Sequence, residues 1–337
     1  MMRYGAFLGA AAASLLLASC ATTGRYAAQP ANVPGTLFFA NKRGDTISKL
    51  PLSRGAVTQD VEACANPHEL ASSPDGRHIA VACYGGEEIL VFDAAKLGLQ
   101  KRIALGEGAR PHGIVWHANG DLYSTAEGRN SIYWIRKPLS SSADVLEYGT
   151  GKDGSHMLAV SPDARTAWTT DLGSKTVTRV DLLTRRAPLS VEVGEEPEGI
   201  ALSPDGQTLW VSARGSNKAF ALDPLTMEIR SSAETGAFPL RILVRPQGDF
   251  AVTSNLQDAS LSVIDTSSGH VTRTISIPSD FGPLDRQQVT ILFSPDGSRL
   301  YVAETATDSI AEIDFASGKL LRRMRTGYGG DGLAIVR

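Results

Sequence analysis

Cysteine is scarce. The chain of 337 residues holds three, at positions 20, 64 and 83, too few for a framework of disulfides. Long apolar runs are missing too. The longest, Ala6 to Leu17, falls short of the roughly 20 residues that a membrane-spanning helix needs. Charge of one sign is not in excess: the formal net charge is −3 and the sequence pI about 6.1, so the chain lacks the basic footprint that binds duplex nucleic acid. No stretch sustains a 3.6-residue apolar period, which argues against a helical fold. Neither "GSHM" nor "RGSN" is a nucleophile elbow, and no Gly-rich phosphate loop joins a strand to a helix. What is plentiful is glycine, 33 residues, in a chain that is 42% hydrophobic. That composition fits a large, turn-rich globular core.

The first residues stand apart. "MMRYGAFLGAAAASLLLASC" has one cation at Arg3, a short apolar stretch and then small residues, the layout of a secretory signal. Leu17-Ala18-Ser19-Cys20 resembles the bacterial lipobox. That resemblance implies a signal peptide over 1–19 and a lipidated Cys20, followed by a flexible tether to residue 34. Ala21 after the cysteine, rather than Asp, implies outer-membrane attachment facing the periplasm. Export would place Cys64 and Cys83 in an oxidising compartment as the remaining even pair. Both lie at the same end of one repeat unit, so a disulfide between them is expected.

From residue 35 onward the sequence repeats. "SSPDGRHIAVACYG", "SPDARTAWTTDLG", "SPDGQTLWVSARG" and "SPDGSRLYVAET" are strong copies of one unit; "HANGDLYSTAEG" and "RPQGDFAVTSNL" are weaker ones. The units begin at residues 67, 111, 155, 197, 239 and 288. Each reads as an apolar strand, a Pro-Asp-Gly-type turn, a strand ending in small or polar residues, and a third strand ending in Asp, as in Val91-Phe92-Asp93 or Val263-Ile264-Asp265. Four strands in each repeat of this length are the pattern of a propeller blade. The C-terminal "GGDGLAIVR" supplies only an inner strand, and "GTLFFANKRGDTISKL" near the N-terminus supplies what that copy lacks. The expectation is an all-β propeller of seven blades over 35–337, the last closed by both chain ends.

At these residues the chain resembles the YVTN-type bacterial propellers, through "LYVAET" and "LWVSARGSN". "SHMLAVSPDARTAWTTDLGSKTV" and "PHELASSPDGRHIAVACYGGEEILVFD" are similar to the lactonase propellers, including gluconolactonase and muconate-cyclising types. "PHGI" and "PEGI" are similar to the streptogramin-lyase propellers. One propeller architecture hosts binders, scaffolds and enzymes, so the fold alone does not fix an activity.

The repeat places the polar residues. Just before the apolar run of each inner strand stand His68, His112, His156, Glu198, Leu240, Val289 and Asp331, and Arg241 follows Leu240. At the ends of the second strands the expected mouth residues are Lys42, Tyr84, Glu127, Asp171, Arg214, Asn255 and Glu304. Three of the six histidines thus share one phase in consecutive blades, which directs them to equivalent places around the ring. His78, His117 and His270 fall elsewhere and read as surface residues.

Three readings of the histidines remain open. In WD-type propellers a histidine at this connection is structural. As a metal centre, His68, His112, His156 and Glu198 would make a sound set for zinc or another divalent ion. The lactonase resemblance implies catalysis, with His156 as acid or base and Arg214 or Arg241 holding a substrate carboxylate. Where that family tends to carry arginine after the histidine this chain has Glu198, and where it tends to carry an acid the chain has Arg214. The expectation is therefore a polar mouth binding a small anionic ligand or an envelope protein, as a monomeric scaffold module or as a lactonase- or lyase-type enzyme.

Overall fold

The computed structural model describes residues 34–278 and 287–337; the expected leader, Cys20 and nearly all of the tether lie outside them. The described residues form seven four-stranded antiparallel sheets. Six blades run in sequence over residues 67–104, 111–149, 155–192, 197–234, 239–276 and 288–325. The seventh combines β1 (Thr36–Asn41), β2 (Thr46–Pro51) and β3 (Gln59–Glu62) with the last strand, β28 (Gly330–Val336), in the order β28-β1-β2-β3. Thr36 pairs with Val336 and Phe39 with Leu333, so the seam is a continuous sheet with no free edge between the chain ends. The expected sharing of the last blade is what the chain does.

The turns explain the repeat. In "SPDG" the serine hydroxyl donates to the aspartate two residues on, at 2.6 Å for Ser73–Asp75 and for Ser161–Asp163. The amide of the residue that opens the second strand, His78 or Thr166, donates back to that serine. Gly76, Gly206 and Gly297 occupy the left-handed conformation that the turn requires. The third blade has Ala164 there, at φ 58°. The core lies between blades. Phe38, Ile47, Val81, Leu90 and Phe92 fill one interface; Val252, Leu261, Val302 and Ile313 fill another. Facing sheets interdigitate in this way because each sheet alone has no partner for its apolar face.

The inner strands are β4 (Pro67–Ser72), β8 (Pro111–Trp116), β12 (Ser155–Val160), β16 (Pro197–Leu202), β20 (Pro239–Val244), β24 (Gln288–Phe293) and β28. Each is entered through a left-handed residue: Asn66, Arg110, Gly154, Glu196, Phe238, Gln287 and Gly329. Pairing with the second strand then shifts register at the first residues, between Pro67 and Leu70 or Pro111 and Ile114, for example. A bulge of this kind re-aims the side chains it carries. The sequence positions that share a phase therefore sit on seven equivalent bulges at one end of the channel.

Candidate functional site at the channel mouth

Hydroxyl side chains lock those bulges. Thr125, Thr170, Ser212 and Ser254, the penultimate residues of four second strands, accept the amide protons of Gly113, Met157, Gly199 and Arg241 in their own blades. Their hydroxyls then donate to the carbonyls of His156, Glu198, Leu240 and Val289 in the next blades. These four phase residues are thus held by their neighbours. Glycine at 113, 199 and 332 allows the close approach: a Cβ on Gly332 would lie 2.1 Å from the carbonyl oxygen of His68.

The side chains so held converge. The rings of His68 and His112 lie 4.4 Å apart and those of His112 and His156 3.7 Å apart, tilted by 52° and 32°, a row of contacts across three blades. Tyr84 meets His112 edge-on at 5.4 Å. His156 is clamped between carboxylates, with Nδ1 2.9 Å from Glu127 and Nε2 2.9 Å from Glu198. Glu198 also accepts from Arg241 at 2.6 Å and from Arg214 at 2.6 Å. Across the channel the second arm of Arg241 donates to Glu69 at 2.7 Å. Asp331 accepts from Lys42 at 2.9 Å and faces Nε2 of His68 at 3.5 Å. At the rim, Tyr84 donates to Glu127 at 3.0 Å and Arg110 donates to Tyr84.

Protonation follows from these contacts. A carboxylate only accepts, so His156 donates from both nitrogens and is an imidazolium. Burial alone would lower its pKa; Glu198 and Glu127 outweigh burial and hold it above the usual histidine value. His112, 1% exposed, has no carboxylate partner. Burial, then the neighbouring His156 and His68, keep its pKa well below 6.5, so it is neutral. His68 is lowered to about 4, by burial first and then by Lys42 and Arg241, against the pull of Asp331. Burial would raise Glu198, but His156, Arg241 and Arg214 hold it well below the carboxylate range. Burial pushes Glu69 up, with Arg241 opposing. Among the mouth residues, two buried polar atoms have no partner: Nδ1 of His112 and Nε of Arg241.

The structure sorts the expected residues. It brings His68, His112, His156, Glu198, Arg214, Arg241, Asp331, Lys42, Tyr84 and Glu127 together at the mouth. Asp171, Asn255 and Glu304 it turns into their blades. Asp171 accepts from Ser155, Thr176 and Thr178, Asn255 donates to Ser260 and Ser262, and Glu304 accepts from Ser309 and Arg323. The reason is a one-residue offset. These three end their strands, as Asn41, Cys83, Ala126 and Ala213 do, whereas Lys42, Tyr84, Glu127 and Arg214 come one residue later. One step along a strand reverses the side-chain direction. Glu127 and Arg214 each open a short 3₁₀ turn, whose capping Asn130 or Asn217 accepts an amide proton from the loop entering the next blade. Leu240 and Val289 are buried at the apolar stretch of the ring.

The histidine set does not fit a metal. Both nitrogens of His156 are engaged by carboxylates, which leaves it no lone pair for a metal. No group of three or more His, Cys, Asp or Glu among the described residues is arranged to hold a metal ion. Glu69 and Arg110 were not expected at the mouth. The signal for Glu69 was present: it stands one residue after His68, as Arg241 stands one after Leu240. The disulfide is as expected, Cys64–Cys83 with Cα atoms 5.8 Å apart, and it immediately precedes Tyr84.

Comparison with known sequences matches residues 47–279 to the family described as "Lactonase, 7-bladed beta-propeller". The chain belongs to that family. Among solved structures this lactonase-family chain is similar to hydrazine synthase from Kuenenia stuttgartiensis, at 16% identity and TM-score 0.66 over 80% of this chain and 95% of that one. It is also similar to virginiamycin B lyase from Staphylococcus aureus, at 15% identity and TM-score 0.65 over 77% and 84%. A streptogramin B lyase aligns at 17% identity and TM-score 0.66 over 77% and 82%. At such identities the likeness is one of fold. No curated protein sequence matches.

Proposed function

We propose that the channel mouth is the active site of a lactonase-type enzyme that opens a small anionic lactone. The observation that carries the reading is the close pair His112 and His156, rings 3.7 Å apart with only His156 held between two carboxylates, so that their pKa values are pushed in opposite directions. Titratable groups whose environments push them apart are the mark of acid–base sites. His112 takes a proton from water as the water oxygen bonds to the lactone carbonyl carbon. The ring C–O bond then breaks, and the alkoxide leaving oxygen receives that proton from His112. Imidazolium His156 stays charged throughout and stabilises the developing negative charge. The unpartnered Nε of Arg241 supplies a donor for the carbonyl oxygen. Arg214, Arg110 and Lys42 at the rim favour an anionic substrate.

The test is a panel of neutral and carboxylated lactones with a pH–rate profile. The acid limb is expected below pH 6.5, because His112 is depressed, and His112→Ala should lose about 10²–10⁴ in kcat with Tm little changed. No turnover of any lactone, or an unaltered rate in His112→Ala, would overturn the reading. In a second reading the mouth binds a ligand or an envelope protein without turnover. It is favoured by the closed charge network, since Arg241 and Arg214 are already engaged with Glu69, Glu196 and Glu198.

We propose further that the protein is exported as a monomer and anchored through Cys20 to the outer membrane, facing the periplasm. The lipobox-like Leu17 to Cys20 and the pairing of the other two cysteines support this. Radiolabelled palmitate should enter the wild-type chain and not Cys20→Ser.

A further inference from the structure

The face opposite the mouth carries a pattern that the site does not use. There the third strand of each blade turns into the fourth. In the second, third and fourth blades these turns present Leu139, Leu183 and Leu225, which are 44%, 55% and 74% exposed. The same turns in the first, fifth and sixth blades carry Lys96, Ser267 with Ser268, and Ala316 with Ser317, and that of the seventh exposes Val57, at 37%, but no leucine. The leucines therefore form an arc over three consecutive blades and not a general feature of the ring.

Charges of both signs surround them. Lys137, Arg185 and Arg186 flank the leucines and are exposed. Acids stand in the same hairpins: Asp181 accepts the amide protons of Leu183 and Thr184, Asp223 those of Leu225 and Thr226, Asp144 pairs with Arg136, and Glu228 is exposed. At the tips of the turns, what faces outward is apolar, with Lys137, Arg185 and Arg186 beside it.

The chain also enters the fold on this face. The carbonyl of Gly35 accepts the amide proton of Leu52, just as that of Arg165 accepts the proton of Leu182 in the third blade. Pro34 therefore joins the propeller at the turn end of the seventh blade, across the channel axis from the leucine arc.

We infer that this face lies against an anionic lipid surface, through Leu139, Leu183 and Leu225 with Lys137, Arg185 and Arg186. Leucines enter the headgroup boundary and the cations meet lipid phosphates. Attachment at the seventh blade and contact at the second to fourth put support on both sides of the axis. The ring then lies flat on the bilayer with its mouth turned away. The inference needs residues before Pro34 to be membrane-attached and is independent of any reaction at the mouth.

The test uses the full-length chain reconstituted in phosphatidylcholine vesicles with and without phosphatidylglycerol. A bimane label is placed at Leu183→Cys, at Leu225→Cys or, on the mouth face, at Glu195→Cys, and brominated lipid is the quencher. Quenching at 183 and 225 should be several-fold stronger than at 195, and stronger with phosphatidylglycerol. Adding Asp at the unlabelled leucine position should reduce it. Equal quenching at all three sites, or indifference to phosphatidylglycerol, would overturn the inference. So would protection of residue 183 by a second copy, seen as pyrene excimer formation at Leu183→Cys.

Discussion

His112 and His156 share a blade position and deep burial, yet their surroundings give them opposite charge. The difference is Glu127 and Glu198, which only His156 reaches. Glu198 is the hub, since it also holds Arg241 and Arg214. Glu198→Gln would leave buried cations without their counter-charge, and a loss of about 3–5 kcal/mol is expected in urea unfolding. His68 makes stability depend on pH. Its folded pKa of about 4 lies below the unfolded value of 6.5, so its contribution is full above pH 6.5. Below that the unfolded chain takes the proton first, and up to about 3 kcal/mol disappears as pH falls to 4. His156 runs the other way, its contribution being full below pH 6.5 and lost as pH rises through its raised value. Urea midpoints of His68→Gln should therefore decline less between pH 6.5 and 4 than those of the wild type; parallel declines would refute this. The histidines could be read from sequence because a shared phase fixes direction. Their charge could not, because Glu127 and Glu198 reach His156 from the two adjacent blades, 29 and 42 positions away.

At the scale of the strand, the bulge and its glycine set the geometry of the mouth. Gly332→Ala would drive a Cβ into the His68 carbonyl and the Glu69 Cα. A cost of about 3 kcal/mol is expected, as for an overpacked core. Gly149, at the end of an outer strand, has nothing within 4 Å of a built Cβ, so Gly149→Ala should stay within about 0.5 kcal/mol. Thermal melts of the two variants separate the cases; equal Tm values would refute the role of the close approach. The blades were legible because the Ser-Pro-Asp-Gly turn is local: its hydrogen bonds lie within five residues. Asp171, Asn255 and Glu304 were misread for the same reason in reverse. Small and polar residues crowd both of the last two strand positions, and only strand pairing tells which one faces the blade.

Over the whole molecule, seven sheets become a ring only through the β1–β28 pairing. Deleting residues 330–337 would remove the inner strand of the seventh blade and bare the edge of β1, whose Leu37, Phe38 and Phe39 are buried in the intact ring. The truncated chain should aggregate and lose a cooperative melt, measurable by light scattering and calorimetry; a monomer with an unchanged melt would contradict this. The same pairing imposes an order in time. Thr36 waits for a partner made about 300 residues later, which at roughly 5–20 residues per second is tens of seconds. Blades formed in the meantime can stack as an open arc, but the arc has no closed mouth. His68 meets Asp331 only when the last strand arrives, so the ring of mouth residues closes in the final step of synthesis.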